Sequence, residues 1–411
     1  MTHGNLIAGL DVGTTKICAV IAQVADGEQP NIIGVGTSPC DGLKKGVVVD
    51  LDKTSAAIKD AVTKAERMAG EEIQSVVVGV TGEHIACVNN RSMIAVNHPD
   101  REIGESDVAR LLDTAKVIVL PPEREIIHAI PRWYSDGQAG IHSPVGMHGT
   151  RLEMETHIVT GLSSFLQNVV KCVHMAGFSV DATVLEPLAG AESVLVPAER
   201  ELGVALVDIG GGTSDVAIYI DGQIYYSGVI PVGGSHFTRD LAVGLRSSIE
   251  EAERVKVENG QVSIRNEAGM EPFEFTTLAG DKPRHLPKKV LVEIIEPRMT
   301  ELCHLVIGQI ELAGCQDRLP AGIVFTGGGA QLKGLADLAA KVTGLPARIG
   351  KPVGFSGLME AVSNPACATA AGLVLFWDKY YSREDNRSAG EGLVAGLIRR
   401  IKELFSRFGT E

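Results

Sequence analysis

Basic charge is scarce in this chain: 38 Lys and Arg stand against 51 Asp and Glu, a formal net charge of −13. That deficit argues against a nucleic-acid binder working through a general basic surface. Paired cysteines are missing too. Cys18, Cys40, Cys87, Cys172, Cys303, Cys315 and Cys367 are odd in number, scattered and never spaced Cys-x-x-Cys, which excludes a disulfide framework and the common zinc modules. They read as small buried hydrophobes in a reducing compartment. No stretch approaches the ~20 apolar residues of a membrane span. Asp11 and Lys16 come too early for a signal peptide, so a cytoplasmic protein is expected. The histidines show no paired ligand spacing and no Ser-His-Asp arrangement emerges, so they read as structural or surface residues. Aromatics make up only 4% while glycine reaches 47 residues, which suggests an α/β chain with many tight turns near ligands. The remaining composition, 45% hydrophobic and 22% charged over 411 residues, is that of a globular protein with room for two or three cored domains.

Two segments nearly half a chain apart share one form. LIAGLDVGTTKICAVIAQ (Leu6–Gln23) and LGVALVDIGGGTSDVAIYI (Leu202–Ile220) each read as an apolar strand, an Asp, an apolar residue, glycine with small residues and Thr, then a second apolar strand. Asp11 and Gly13 correspond to Asp208 and Gly210. The repetition predicts two structurally similar halves. In the first half the periodicity predicts a helix over Thr54–Met68 and a buried strand over Ile73–Val80. It also predicts a helix capped by Ser106 along DVARLLDTAKV and a helix over Ser163–Ala176. An alternating strand is expected over Leu152–Ile158, with Leu152, Met154 and Ile158 on one face and Glu153, Glu155 and His157 on the other. His84–Gly161 differs in texture and reads as an inserted subdomain. In the second half, helical patterns over His236–Asn259 and Pro287–Leu312 flank a turn-rich stretch, Gly260–Pro287. A strand over Gly322–Thr326 then runs into three glycines and a helix over Gln331–Ala340. Lys379–Glu391 reads as a flexible linker before a final helix, Leu393–Phe408.

A hairpin tip of Gly-Thr-Thr or Gly-Gly-Gly-Thr can aim backbone N–H groups and hydroxyls at a phosphate, because glycine permits close approach and the amides form an anion nest. Gly13, Thr14, Thr15 and Lys16 make one such tip; Gly210, Gly211, Gly212 and Thr213 make the other. Asp11 and Asp208, each ending a first strand, can hold Mg²⁺, usually through water, because that ion sheds its hydration shell reluctantly. One Asp-x-Gly-Thr is an ordinary tight turn, whereas two facing each other would clamp a polyphosphate. Gly327, Gly328 and Gly329 can let a flat ligand or sugar-phosphate lie on the backbone at a helix N-terminus, or can serve packing alone. Glu253 and Lys256 share a helix face at i, i+3, as part of that site or as a solvated ion pair. Glu186, at a strand end before Pro187, either orients an attacking water or complements a helix N-terminus.

The C-terminal segment is amphipathic. At about 100° per residue, Leu393, Val394, Leu397, Ile398, Ile401, Leu404, Phe405 and Phe408 fall within an arc of roughly 140°. Arg399, Arg400, Lys402, Glu403 and Arg407 occupy the other side. A basic amphipathic helix beyond a polar linker on an acidic chain points to an anionic membrane surface more than to a core or partner helix.

These features, with NIIGVG (Asn31–Gly36), ELGVALVDIGGGTSD (Glu201–Asp215), EIIEPRMTEL (Glu293–Leu302) and AGIVFTGGGAQLKGL (Ala321–Leu335), resemble the actin, heat-shock chaperone and sugar kinase ATPase superfamily. Within it the resemblance is to the FtsA family of bacterial cell-division proteins, over nearly the whole chain. It implies an α/β, actin-like two-lobed fold: two duplicated ribonuclease-H-like domains, each with an inserted subdomain, plus the C-terminal amphipathic helix. Subdomain 1A would cover residues 1–83, 163–198 and 364–380, with inserted subdomain 1C at 84–162. Subdomain 2A would cover 199–231 and 303–363, with 2B at 232–302; a linker would occupy 381–391 and a membrane-targeting helix 392–408. The family implies ATP and Mg²⁺ in a central cleft, and hydrolysis that is at most slow. Asp11 and Asp208 would lie near the metal, the two tips on the phosphates, and Gly327 to Gly329 on the ribose and α-phosphate side. Glu253 and Lys256 would border the adenosine, and Glu186 matches the water-orienting carboxylate of bacterial actin relatives. The insert would serve self-assembly and contact with later division proteins, and Glu296, Arg298 and Glu301 would face the tubulin-like FtsZ. Leu393, Leu397, Ile398, Ile401, Leu404, Phe405 and Phe408, with Arg399, Arg400 and Lys402, would meet the inner face of the cytoplasmic membrane at the division site, tethering the FtsZ ring. Two other readings stay open at this point: an MreB-like membrane-bound cytoskeletal actin, and a sugar or acid kinase.

Overall fold

The structure, a computed structural model, describes residues 5–25, 27–115, 120–141, 143–263, 271–280 and 283–381. The expected linker beyond Tyr381 and the helix over 392–408 lie outside the described residues.

The chain opens on the expected hairpin, β1 (Asn5–Val12) and β2 (Lys16–Val24). Next come β3 (Asn31–Pro39), the short β4 (Leu43–Lys44) and β5 (Val47–Val48), α1 (Leu51–Ala69) and β6 (Ser75–Val80). Asp50 caps α1 by accepting from Lys53 N–H, and left-handed Gly70 ends it. The insert comprises β7 (Ala86–Ala95), α2 (Glu105–Ala115), β8 (Arg124–Ser135), β9 (Gln138–Ile141) and β10 (Arg151–Leu162). Then follow α3 (Ser163–Ala176), β11 (Ser179–Leu185), α4 (Glu186–Val194) and α5 (Pro197–Leu202). The second half begins with β12 (Val204–Ile209), β13 (Ser214–Ile220), β14 (Gln223–Ile230), α6 (Gly234–Leu245) and α7 (Ile249–Asn259). It continues through β15 (Pro272–Phe275), β16 (Arg284–Pro287), α8 (Lys289–Leu312), β17 (Ile323–Thr326), α9 (Leu335–Thr343) and β18 (Ala347–Ile349). It closes with β19 (Ser356–Gly357), α10 (Met359–Val362) and α11 (Ala368–Tyr380).

The two main sheets follow one plan. The first runs β11-β6-β1-β2-β3-β19 and the second β18-β17-β12-β13-β14. In both, three antiparallel strands are followed by two parallel ones beyond the first strand. The register agrees as well: Asp11 pairs with Cys18, and Asp208 with Asp215. This is a ribonuclease-H-like sheet made twice. A shared core joins the halves, running from Ile7, Val20 and Val184 through Leu188 and Leu373 to Leu206, Ala217 and Val324. Its axis is α11, fastened to α4 by a buried hydrogen bond from Ser193 Oγ to the Ala368 carbonyl (2.7 Å). The chain regains the first sheet at Ser356, where β19 pairs with β3, and not at 364.

The insert is a four-stranded sheet, β7-β10-β8-β9, with its own core of Leu111, Trp133, Leu152, Met154 and Ile158. The other face of β10 is buried too. Arg91 and Arg151 enclose Glu153, and the second lobe covers His157; each of these two is only 1% exposed.

Four expectations need correction. The pattern over His236–Asn259 is two helices: Arg246 turns left-handed (φ 54°) and Ser248 caps α7. Both helices bury apolar residues in one core, so the periodicity reads through the break. The turn-rich stretch after Gly260 contains the β15–β16 hairpin, which buries Phe273 and Phe275. Residues Gly328–Gln331 form a 3₁₀ turn and α9 begins only at Leu335, after left-handed Gly334. Ser106 lies inside α2, whose first turn is held by Asp107 Oδ2 accepting from Gly104 N–H (3.1 Å).

Candidate functional site

The two hairpins end in the same turn and meet tip to tip. Gly13 N–H donates to Lys16 O at 3.1 Å, and Gly210 N–H to Thr213 O at 2.9 Å. A Cβ on Gly211 would stand 2.6 Å from Thr15 Oγ1, so a side chain there would prise the lobes apart. Thr14 Oγ1 accepts from Gly46 N–H (3.1 Å). The first amides of α6, Gly234 and Ser235, donate to the Gly210 and Gly211 carbonyls (2.8 Å each) and hold the second tip. Lys256 reaches the same place from α7: its Nζ donates to Gly234 O (3.2 Å) and Thr238 Oγ1 (2.9 Å) and pairs with Glu253 (2.7 Å). Glu253 and Lys256 therefore flank the second tip. Gly327 takes a left-handed φ of 84° after β17, and a Cβ there would stand 2.1 Å from Asp208 Oδ1. The Gly327–Gly329 turn thus lies against the same acid.

Four buried carboxylates gather beneath the tips: Asp11, Glu186, Asp208 and Asp215. Asp208 Oδ2 accepts from Thr369 Oγ1 (2.8 Å), and Asp215 from Thr81 Oγ1. Glu186 Oε1 finds no hydrogen-bond partner among the described residues. Burial raises all four above the usual carboxylate range, and the charge of neighbouring acids adds to the rise at Asp11, Asp215 and Glu186. Asp11 reaches about 7 and Asp215 about 8, while Glu186 goes well above its ordinary value. Lys16 sits among them, its Nζ donating to Ala366 O. Burial works against its ammonium, but its acidic neighbours Cys18, Asp11, Cys367 and Asp208 together outweigh burial and hold its proton more tightly than usual.

Buried carboxylates side by side are the donor type that suits a hard divalent cation, while among the described residues no three His, Cys, Asp or Glu are grouped to hold a metal ion by themselves. The sequence pattern does not single out Asp215, Thr81 or Thr369. The signal for Asp215 is its register: it follows Asp208 at the spacing by which Cys18 follows Asp11. Glu296, Arg298 and Glu301 lie on α8, where Arg298 pairs with Asp240 of α6 (2.8 Å) and with Glu301. The expected membrane-facing residues, Leu393 to Phe408, lie outside the described residues.

Duplicated sheets joined tip to tip over buried acids define an actin-like protein. Solved structures bear this out: the chain covers 90% of its length against the "PilM-PilN type IV pilus biogenesis complex" (98% of that chain, TM-score 0.63, 18% identity). Against MreB5 of Spiroplasma citri bound to ADP it covers 94%, with all of that chain matched (TM-score 0.55, 17% identity). Identities this low speak for the fold alone. The profile "Cell division protein FtsA" matches residues 205–372, and "SHS2 domain inserted in FTSA" matches 82–160. The chain is 39% identical over 374 residues to the cell division protein FtsA of Pseudomonas aeruginosa (91% of this chain, 89% of that one). It is 41% identical over 406 residues to that of Borreliella burgdorferi (98% and 97%) and 37% over 393 to that of Escherichia coli (94% and 92%). The chain belongs to the FtsA family of cell division proteins, which sets aside the MreB-like and kinase readings. Among the described residues, no helix is long and apolar enough to cross a membrane.

Proposed function

We propose that this chain binds ATP with Mg²⁺ between its lobes, self-assembles, and tethers FtsZ to the inner face of the cytoplasmic membrane at the division site. The observation that carries the reading is the pair of like hairpin tips meeting over buried acids. Gly13 to Lys16 and Gly210 to Thr213 would hold the phosphates, Gly327 to Gly329 the ribose and α-phosphate side, and Glu253 with Lys256 the adenosine border. Asp11 and Asp208 would hold the hydrated ion, whose charge would neutralise phosphate and carboxylates together. Glu186 would orient a water on the phosphate side, with turnover expected to be slow at most.

The membrane contact is assigned to Leu393, Leu397, Ile398, Ile401, Leu404, Phe405 and Phe408 with Arg399, Arg400 and Lys402. Basic residues supply ~1 kcal/mol each beside an anionic leaflet. One helix binds reversibly, and assembly converts weak single contacts into avid ones. Contact with FtsZ is assigned to the face of Glu296, Arg298 and Glu301, and contact with later division proteins to the 84–162 insert. The same second-half subdomain offers a groove of about 640 Å³ lined by Val243, Ile249 and Leu278 and by Arg239, Arg246 and Arg284.

One reconstitution tests the whole. With anionic vesicles, Mg·ATP and FtsZ, the full chain should carry FtsZ to the floating fraction. A chain ending at Glu391 should lose flotation of both proteins, and equal flotation would remove the membrane claim. Arg298→Glu should keep its own flotation and lose most of the FtsZ. Because Arg298 also clips α8 to α6, Glu301→Lys serves as the second variant; undiminished FtsZ with both would clear this face of the role.

A further inference from the structure

The insert hangs from the first lobe, between β6 and α3, yet rests on β14, the edge strand of the second sheet. A continuous chain of side chains closes that seam. Cys87 Sγ lies 2.8 Å from Ser227 Oγ, Ser227 Oγ lies 2.9 Å from His157 Nε2, and His157 Nδ1 lies 2.7 Å from Asn89 Oδ1. Asn89 Nδ2 then donates to the Tyr225 carbonyl at 3.2 Å. Burial, aided by the charge of Arg132, pushes His157 down to about 3, so its ring is neutral. One proton arrangement then satisfies every member: Cys87 S–H to Ser227, Ser227 O–H to Nε2, and Nδ1–H to Asn89. Arg132 finishes the seat, donating to the Ile224 carbonyl (3.2 Å) and lying 4.5 Å over the Tyr225 ring. The cleft chemistry uses none of these residues.

Two landmarks connect this seat to the cleft. Ser227 pairs with Ala217 in the β13–β14 hairpin, two residues along β13 from Asp215. Thr81, which bonds Asp215 across the lobes, immediately precedes the insert. Both cross-lobe bonds therefore join the same two bodies: the β13–β14 hairpin, and the insert with its root. A rotation that parts Asp215 from Thr81 carries Ser227 away from His157. Packed seats of this kind are occupied or vacated, not stretched.

We propose that the insert is a second clasp across the lobes, seated on β14 when the cleft is closed and released when it opens, so that whatever binds the insert biases the cleft and the reverse. The proposal extends the nucleotide reading of the cleft but does not require it.

Ser227→Cys in the full chain places a thiol against native Cys87. Under diamide, the two should form a disulfide identifiable by mass spectrometry and absent from Cys87→Ala/Ser227→Cys. Thr81→Val in that background should slow the cross-link by up to about tenfold, the upper range for the net weight of one hydrogen bond. Failure to form the Cys87 disulfide overturns the seat, and an unchanged rate with Thr81→Val overturns the coupling. Mg·ATP should accelerate cross-linking; if it does nothing while Thr81→Val slows the reaction, the clasp stands and the nucleotide reading falls. Should Ser227→Cys fold poorly, Ser227→Ala supplies the second measurement. It should speed alkylation of half-buried Cys87 and leave the six buried cysteines unreactive; unchanged protection of Cys87 overturns the seat.

Discussion

Replacing Lys16 with methionine should weaken Mg·ATP binding by at least ~100-fold, about 3 kcal/mol, and also lower the stability of the nucleotide-free chain. Lys16 is the ammonium whose charge lowers both Asp11 and Asp208, and it sits half-buried beside these two buried acids. Methionine keeps the volume and removes the charge. Stripping one partner from a buried ionic group costs ~3–5 kcal/mol, because the remaining charges stay out of water without compensation. The acids would respond by holding protons to higher pH, so the loss of stability should be smaller at pH 6 than at pH 8. Calorimetric titration with Mg·ATP and thermal unfolding at both pH values check the two halves. Parent-like affinity in the variant would take Lys16 off the phosphate side.

The second large effect is a fall in stability as pH rises from about 6.5 to about 8 in protein freed of nucleotide and divalent ions. Asp11 and Asp215 titrate near 7 and near 8 when folded but at the ordinary carboxylate value when unfolded. In that window the folded chain binds the extra protons, so raising the pH drains stability by at most ~1.4 kcal/mol per pH unit for each uncompensated proton. One group opposes this. A hydrogen bond with Cys18, together with Lys16, draws Cys367 down to about 6, so its folded-state advantage grows across the same range. The histidines that burial and Arg charge hold low, His84 at about 4 and His157 at about 3, add stability as pH rises, but only up to about 6.5. Glu186, held well above its ordinary value, keeps its proton across this range and adds to the fall, so the net slope above 6.5 is negative and becomes shallower as Asp11 finishes titrating. Urea unfolding with a chelator at pH 6.5 and 8.0 measures it, and Asp215→Asn should flatten it. A rise in stability over that interval would mean that the acids are already compensated.

The hairpins were legible because their requirements are local. A tight turn against another backbone demands glycine, an Asp ends the strand, and the apolar runs on either side are long. Recurrence half a chain later turns an ordinary motif into a plan for the fold. The insert was legible by its change in texture, within two residues of the matched 82–160 segment. Elements that depend on distant partners were not. Asp215 and Thr81 are 134 residues apart, and Asp208 and Thr369 are 161 apart; nothing in either neighbourhood marks them as a pair. The polar face of β10 looks solvated in the sequence because the surface that buries His157 comes from β14, 70 residues later. The break at Arg246 hides because α6 and α7 keep their apolar residues turned to the same core.

The placement of α11 has a mechanical consequence. Its 13 residues, ~20 Å at 1.5 Å each, begin where Thr369 holds Asp208 and end where Lys379 pairs with Glu192 (3.2 Å), just short of residue 381. Traction applied to the chain beyond 381 would run along this rod toward the Thr369 hydrogen bond that supports Asp208, so a pull at one end would be felt at the floor of the cleft.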